Sequence, residues 1–208
     1  LLLRDTNPVS PVYYVADHNN NLVSLENKAI DFAMTKSRSG ELLSIILTEI
    51  NNLEYEFYVI NEGKIFNRFS ITGNNKINSF SLADTKKDGE NYILFANGDQ
   101  LEAVNLRGGR ADNFPYKELN GGIFTGTPMA ANFSGDNYPE ILVTTVDGRI
   151  FAIDGKNGKI VRGFPFSSGA KISGEPFFVN YNNRISFVKL NEENFLYGWS
   201  LSLTQGDI

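Results

Sequence analysis

A segment of roughly 50 residues recurs along this 208-residue chain, and no other feature narrows its possible folds as much. The clearest copy opens with Gly126-Thr127-Pro128-Met129-Ala130-Ala131-Asn132-Phe133. It continues through Pro139-Glu140-Ile141-Leu142-Val143-Thr144-Thr145 and Asp147-Gly148-Arg149-Ile150-Phe151-Ala152-Ile153-Asp154. It closes with Gly158-Lys159-Ile160-Val161-Arg162-Gly163-Phe164-Pro165-Phe166. Each piece is a short apolar run bounded by Gly, Asn or Asp, which is the pattern of strands joined by hairpins that need positive φ. Asp147-Gly148 and Asn157-Gly158 are the strongest hairpin dipeptides of the copy.

The same order recurs upstream as Phe80 to Ala83, Tyr92 to Phe95, Leu101 to Leu106 and Asn113 to Tyr116, with Phe114-Pro115 lying 50 residues before Phe164-Pro165. Downstream, Gly174-Glu175-Pro176 repeats the Gly-x-Pro opening, followed by Ile185 to Leu190 and Phe195 to Trp199. A further copy runs through Ser44 to Thr48, Tyr55 to Ile60 and Gly63 to Phe69, and Val12 to Ala16 with Asn21 to Leu25 reads as half of another. No stretch carries an uninterrupted helical period.

A unit of four short strands that must stack on its neighbours to bury its faces is a propeller blade. The expectation is therefore an all-β chain, a β-propeller of about four to five four-stranded blades, either a partial ring or a fragment of a larger one. The blades are placed at 8–35 (partial), 36–75, 76–120, 121–170 and 171–208 (incomplete). A β-sandwich also spaces strands this way, but the copies here match in residue type and order.

Composition removes several function classes. The net charge is -5 with no basic run, so a phosphate backbone is a poor partner. No stretch approaches the roughly 18 apolar residues that span a bilayer. The chain has no Cys and one His, which excludes disulfides, thiolate catalysis and a His-based zinc cluster. That residue, His18, sits in a turn-like Asp-His-Asn-Asn-Asn run and is expected in solvent.

Residues 126–166 resemble, nearly end to end, one copy of the FG-GAP or VCBS-type repeat, through Pro139-Glu140-Ile141 and Asp147-Gly148-x-Ile150-x-Ala152. Residues 79–116 resemble a weaker copy. The segment Ala152 to Arg162 also resembles the quinoprotein-type repeat, with Arg162 standing where that family places a Trp that docks blade on blade. In FG-GAP repeats the loop after the first strand can hold Ca²⁺, a hard cation that takes several oxygen ligands. The resemblance implies such a site at Asn132, Ser134, Asp136, the Tyr138 carbonyl and Glu140. Alternatively the loop keeps only its turn geometry, with Asn132 and Asp136 bonding backbone amides. In the parallel loop Asp84 to Glu90, Lys86 stands where a ligand belongs.

Two carboxylate pairs, Glu192-Glu193 and Glu54 with Glu56, read as solvating surface groups rather than as an acid–base pair. Of the aromatics Tyr13, Tyr14, Tyr55, Phe57, Tyr58, Tyr116, Tyr181, Tyr197 and Trp199, most are expected between blades. Trp199 lies near the chain end, where it would be exposed. No catalytic residue is assigned. The expected function is a non-enzymatic module binding a protein or glycan partner. The resemblance places it outside the cytoplasm, in a bacterial surface or secreted protein. Its open edges would be covered by missing blades, a partner or a second copy. The alternatives are the propeller of a quinoprotein-like or polysaccharide-active enzyme, or an outer-membrane assembly scaffold.

Overall fold

The computed structural model describes residues 2–4, 13–16, 22–132, 134, 136–167, 169, 172–181, 184–191 and 195–201. Every helix or strand among them is a strand, and the strands form five antiparallel sheets in chain order. The first holds β1 (Leu2–Arg4), β2 (Tyr13–Ala16) and β3 (Leu22–Leu25). The second holds β4 (Lys28–Lys36), β5 (Leu42–Asn51), β6 (Glu54–Asn61) and β7 (Lys64–Thr72). The third holds β8 (Ser81–Ala83), β9 (Tyr92–Asn97), β10 (Gln100–Asn105) and β11 (Tyr116–Lys117). The fourth holds β12 (Phe124–Ala131), β13 (Glu140–Thr145), β14 (Arg149–Asp154) and β15 (Phe166–Ser167). The fifth holds β16 (Ile172–Tyr181), β17 (Arg184–Asn191) and β18 (Leu196–Leu201). In each sheet, strands adjacent in sequence are adjacent in space.

The sheets stack face to face, which explains why their central strands are apolar runs instead of alternating patterns: both faces are covered. One face of the second sheet puts Ile45, Phe57 and Val59 against Phe80, Ile93 and Phe95 of the third unit. Its other face puts Ile46, Tyr58 and Ile60 against Val15, Val23 and Leu25 of the first. Third and fourth sheets meet through Leu94, Leu101 and Ala103 against Ile141, Val143 and Phe151. On the far side of the fourth, Leu142, Ile150 and Ala152 pack with Phe164, Phe166 and Trp199. Burying each such side chain contributes about 1.5–3 kcal/mol. The densest point is Phe57, whose ring lies 5.4 Å from Phe69, 5.3 Å from Phe80 and 5.7 Å from Phe95.

First strands of consecutive sheets are tied together along one side. Phe80 N donates to Asp31 Oδ2 at 3.0 Å, Ser81 Oγ donates to the Pro128 carbonyl at 2.5 Å, and the Thr127 and Ser79 hydroxyls are 2.7 Å apart. The repeat is visible in the turns as well. Arg107 N donates to Asn105 Oδ1 at 2.9 Å, and Lys156 N donates to Asp154 Oδ1 at 2.7 Å, one repeat later. Both Phe-Pro peptides, 114–115 and 164–165, are cis.

Two expectations need correction. The boundary drawn at 35/36 falls inside β4, so the second sheet begins at Lys28. Only Glu26 and Asn27 separate β3 from β4, and without Gly or Pro there Asn27 is the single turn-favouring residue. Glu54 and Glu56 lie on β6 and not on a surface loop, and Glu56 is buried. His18, Glu192 and Glu193 lie outside the described residues.

Candidate functional site

Two sets of connections share one end of the stack: the loops joining first to second strands and the turns joining third to fourth strands. The expected ion loop lies here. Asp136 Oδ1 accepts from Tyr138 N at 2.9 Å and from Ser134 Oγ at 3.1 Å, the geometry of an Asx turn. Glu140 is buried and its Oε2 lies 3.4 Å from Ser134 N. Asn132 is exposed and Tyr138 half-buried under the Lys156 ammonium, which is 4.2 Å from its ring. Phe133 and Gly135 lie outside the described residues. Among the described residues no three His, Cys, Asp or Glu side chains gather as a metal-ligand set. In the parallel loop, Asp84 accepts from Asp88 N at 3.1 Å and Gly89 N at 2.9 Å, while Lys86 leaves the loop for Asp112 at 2.8 Å.

A cavity at this end lies between the second and third sheets and measures about 370 Å³. Its rim is the loop 37–41, the Glu90-Asn91 approach to β9, the start of β7 and the turn after β10. Phe66 is the projecting wall. In the β6–β7 ladder Val59 faces Asn67 and Ile60 faces Ile65, so Phe66 is the extra residue of a β-bulge. A bulge re-aims the side chain it carries, and Phe66 is 61% exposed in consequence. Three cations, Lys36, Arg38 and Arg107, and two carboxylates, Glu41 and Glu90, line the groove.

These charges are not equivalent. Arg38 donates to the Asp88 carbonyl and sits 3.9 Å from its carboxylate. Glu41 accepts from the Ser39 hydroxyl at 2.9 Å and lies 3.4 Å from that of Ser37. Lys36 and Arg107 have no side-chain partner among the described residues. The walls are held firmly: Asn91 Nδ2 donates to Thr35 Oγ1 at 2.7 Å, and Asn67 Nδ2 to the Leu106 carbonyl at 3.0 Å. Gly108 closes the turn with φ +86°, and a Cβ there would come 2.8 Å from the Phe69 ring, so only Gly lets the turn sit this close to β7.

Leu106 lines the groove from the third-sheet turn. It is buried and corresponds in the next repeat to Gly155, as the matching turn hydrogen bonds show. Gly155 N donates to the Pro139 carbonyl at 3.1 Å, which extends the β13–β14 ladder within the fourth sheet. A Cβ on Gly155 would lie 2.5 Å from that oxygen and 3.1 Å from Thr85 Cβ, in the β8–β9 loop of the third unit. The turn of the fourth sheet therefore comes close to the third unit at Thr85, where the corresponding turn of the third sheet borders the groove.

Sequence reasoning missed the groove, because its lining comes from four separated segments. It also missed that the acids Glu56, Glu102, Glu118 and Glu140 are buried. Their signal was an acid inside a strand's apolar run, as in Tyr55-Glu56-Phe57 and Leu101-Glu102-Ala103. Each has polar partners: Glu102 takes both Arg110 Nε at 3.1 Å and Nη2 at 2.8 Å, and Glu56 lies 3.4 Å from Arg68 Nε. Burial pushes the Tyr58 hydroxyl up to about 12, helped by Glu56 beside it. Burial alone would raise Glu118, but the Gly122 and Asn120 amides at 2.6 and 3.0 Å, with Arg149 at 3.3 Å, outweigh it and hold the carboxyl below its ordinary value.

Of the expected aromatics, Tyr55, Phe57 and Tyr58 are fully buried, and Tyr13, Tyr14 and Tyr116 are half-buried. The side chains of Tyr181 and Tyr197 lie outside the described residues. Trp199, expected at an exposed end, is half-buried with its ring 5.8 Å from Phe166.

No protein-family model matches the chain, and no curated protein matches it in sequence. Solved structures do match in fold. BBS1N, solved in complex with ARL6DN and soaked with mercury, superposes with a TM-score of 0.64 at 9% identity, over 99% of this chain and 66% of that one. BamB from Moraxella catarrhalis gives 0.56 at 13% identity, over 95% and 57%. The Neurospora crassa Pan2 WD40 domain gives 0.51 at 14%, over 95% and 54%. The chain thus spans between about half and two thirds of these structures, and identities this low speak to fold alone. Sheet order, face-to-face stacking and these likenesses make the chain a β-propeller in fold, built of consecutive antiparallel blades.

Proposed function

We propose that this chain is a non-enzymatic propeller module that binds a protein partner through the loop end of its blades. The observation that carries the reading is the groove between the second and third blades: a cavity of about 370 Å³ with a projecting aromatic and two cations that have no side-chain partner among the described residues. Aromatic anchors beside Arg are the composition of protein-binding hot spots. A protein is favoured over a glycan because Tyr55, Phe57 and Tyr58 are spent on the core, which leaves Phe66 as the aromatic of the groove. BBS1N, similar in fold, was solved with a protein partner.

The repeat type belongs to the same proposal: Pro139-Glu140-Ile141 favours the FG-GAP or VCBS kind, and an extracytoplasmic location follows from that kind alone. So does a Ca²⁺ ion on Asn132, Ser134, Asp136, the Tyr138 carbonyl and Glu140. Site-specific photo-crosslinking in the source cells tests the function. A photoreactive residue at Arg107 is expected to give protein adducts, and one at Asn52, on the turn at the opposite end, to give none. Adducts that are glycans only, or protein adducts equally abundant from position 52, overturn it.

A further inference from the structure

We infer that Asn120 is a site of spontaneous covalent modification: it deamidates in the folded protein through a cyclic imide formed with Gly121, and the product loosens the loop that carries Glu118 into the fourth sheet. This goes beyond the partner-binding reading and does not depend on it. The chain contains three Asn-Gly dipeptides, at 97–98, 120–121 and 157–158. In each, the Gly brings no side chain to hinder attack on the Asn amide, so the sequence ranks the three equally. The structure separates them.

The reaction needs two free groups. The backbone nitrogen of the Gly gives its proton to solvent base and attacks Cγ of the Asn side chain. The new N–Cγ bond closes a five-membered succinimide, and the Cγ–Nδ2 bond breaks to release ammonia. Water then opens one of the two ring carbonyls and leaves aspartate, or isoaspartate with the main chain routed through Cβ and Cγ. A Gly N–H already donating, or an Asn amide held by partners, therefore blocks the step. Asn97 is buried, its Oδ1 accepts from Asn74 N at 2.5 Å and its Nδ2 donates to the Thr72 carbonyl at 3.4 Å. At the third dipeptide both groups are engaged. Asn157 Nδ2 donates to the Asp154 carboxylate and its Oδ1 accepts from Lys159 N at 2.8 Å, while Gly158 N donates to the Asp154 carbonyl at 2.8 Å.

Asn120, by contrast, is exposed, and neither its side chain nor Gly121 N has a hydrogen-bond partner among the described residues. Gly121 has φ +78°, and a Cβ there would meet nothing within 4 Å, so the ring has room to close. The backbone amides on either side of the reacting bond, Asn120 N and Gly122 N, both donate to Glu118 Oε2, at 3.0 and 2.6 Å. Glu118 is buried and lies 3.3 Å from Arg149 Nη1. Isoaspartate lengthens the chain between those two donors by a methylene, and either product sets a carboxylate beside Glu118. A buried carboxylate that loses its donors is destabilising.

The test ages the whole chain in mildly alkaline buffer, folded and in parallel unfolded in urea. Conversion is followed by peptide mapping and by isoaspartyl methyltransferase labelling. In urea the three sites are expected to convert at similar rates. In the folded protein Asn120 is expected to convert at least about tenfold faster than Asn97 or Asn157, where reaction waits for local opening. The aged folded protein is expected to melt below the fresh one, whereas Asn120→Gln is expected to start from the parent's midpoint and keep it. Asn97 or Asn157 keeping pace with Asn120 in the folded protein overturns the inference, as does an Asn120 that stays intact there or that leads equally in urea. So does a parent midpoint unmoved by conversion, or one that falls as far in Asn120→Gln.

Discussion

The junction between the second and third blades and the junction between the third and fourth are built from the same parts and end differently. Both have an aromatic cluster at their centre, around Phe57 in one and Phe151 in the other. In both, the turn between third and fourth strands begins with an Asx-type cap, at Asn105 and at Asp154. One residue later they diverge: buried Leu106 lines the groove of the first junction, and Gly155 lets the turn of the second come within van der Waals reach of Thr85 of the third unit. The core of a junction and its loop end thus differ independently: the aromatic packing is shared, and the turn residue above it is not.

The comparison can be broken at its base by Phe57→Ala. Loss of a ring that touches three others is expected to cost about 3–5 kcal/mol in denaturant unfolding, and Phe151→Ala should cost the same within about 1 kcal/mol. A much smaller cost at Phe57 would mean that the open junction is the weaker one. Gly155→Ala sharpens the distinction at the loop end. With 2.5 Å between the new Cβ and the Pro139 oxygen of the same sheet and 3.1 Å to Thr85 of the third unit, the variant is expected to lose about 3 kcal/mol; an unchanged midpoint would show that the turn has room to yield.

Glu118→Gln addresses the linker that leads into the fourth blade and is expected to cost about 2 kcal/mol. Because the folded state depresses the Glu118 pKa, its stabilisation is present above the ordinary carboxylate range and is lost as pH falls through that range. The variant should therefore show a flatter decline of stability between about pH 5 and pH 3. The smallest effect is expected at Asp136→Ala, about 1 kcal/mol from the lost turn bonds. If loop 132–140 also holds Ca²⁺, excess Ca²⁺ raises the melting point of the parent and not of the variant.

How much of this could be read from the sequence follows from where each signal lies. Residues 126–166 announced four strands because Gly, Asn and Asp mark every turn between them, and β12 to β15 form there. β4 was hidden because no Gly or Pro marks the two-residue connection at Glu26-Asn27. Asp136 and Asp84 were legible as loop acids, and their backbone partners emerge only in three dimensions. The groove was illegible in principle: Lys36, Phe66, Asn91 and Arg107 are brought together by blade stacking and by a bulge, which no local pattern encodes.

The contrast between Leu106 and Gly155 has a consequence for how such a ring acquires and loses sites. A repeat protein duplicates its junctions along with its blades, and every copy inherits the same aromatic core. If one position in the third-to-fourth turn sets the spacing above that core, a junction is opened or shut by exchanging a single side chain, with the fold's main stabilising contacts untouched. Binding surfaces in such an architecture can then arise at any junction independently, and the present chain carries a different residue at that position in two successive junctions.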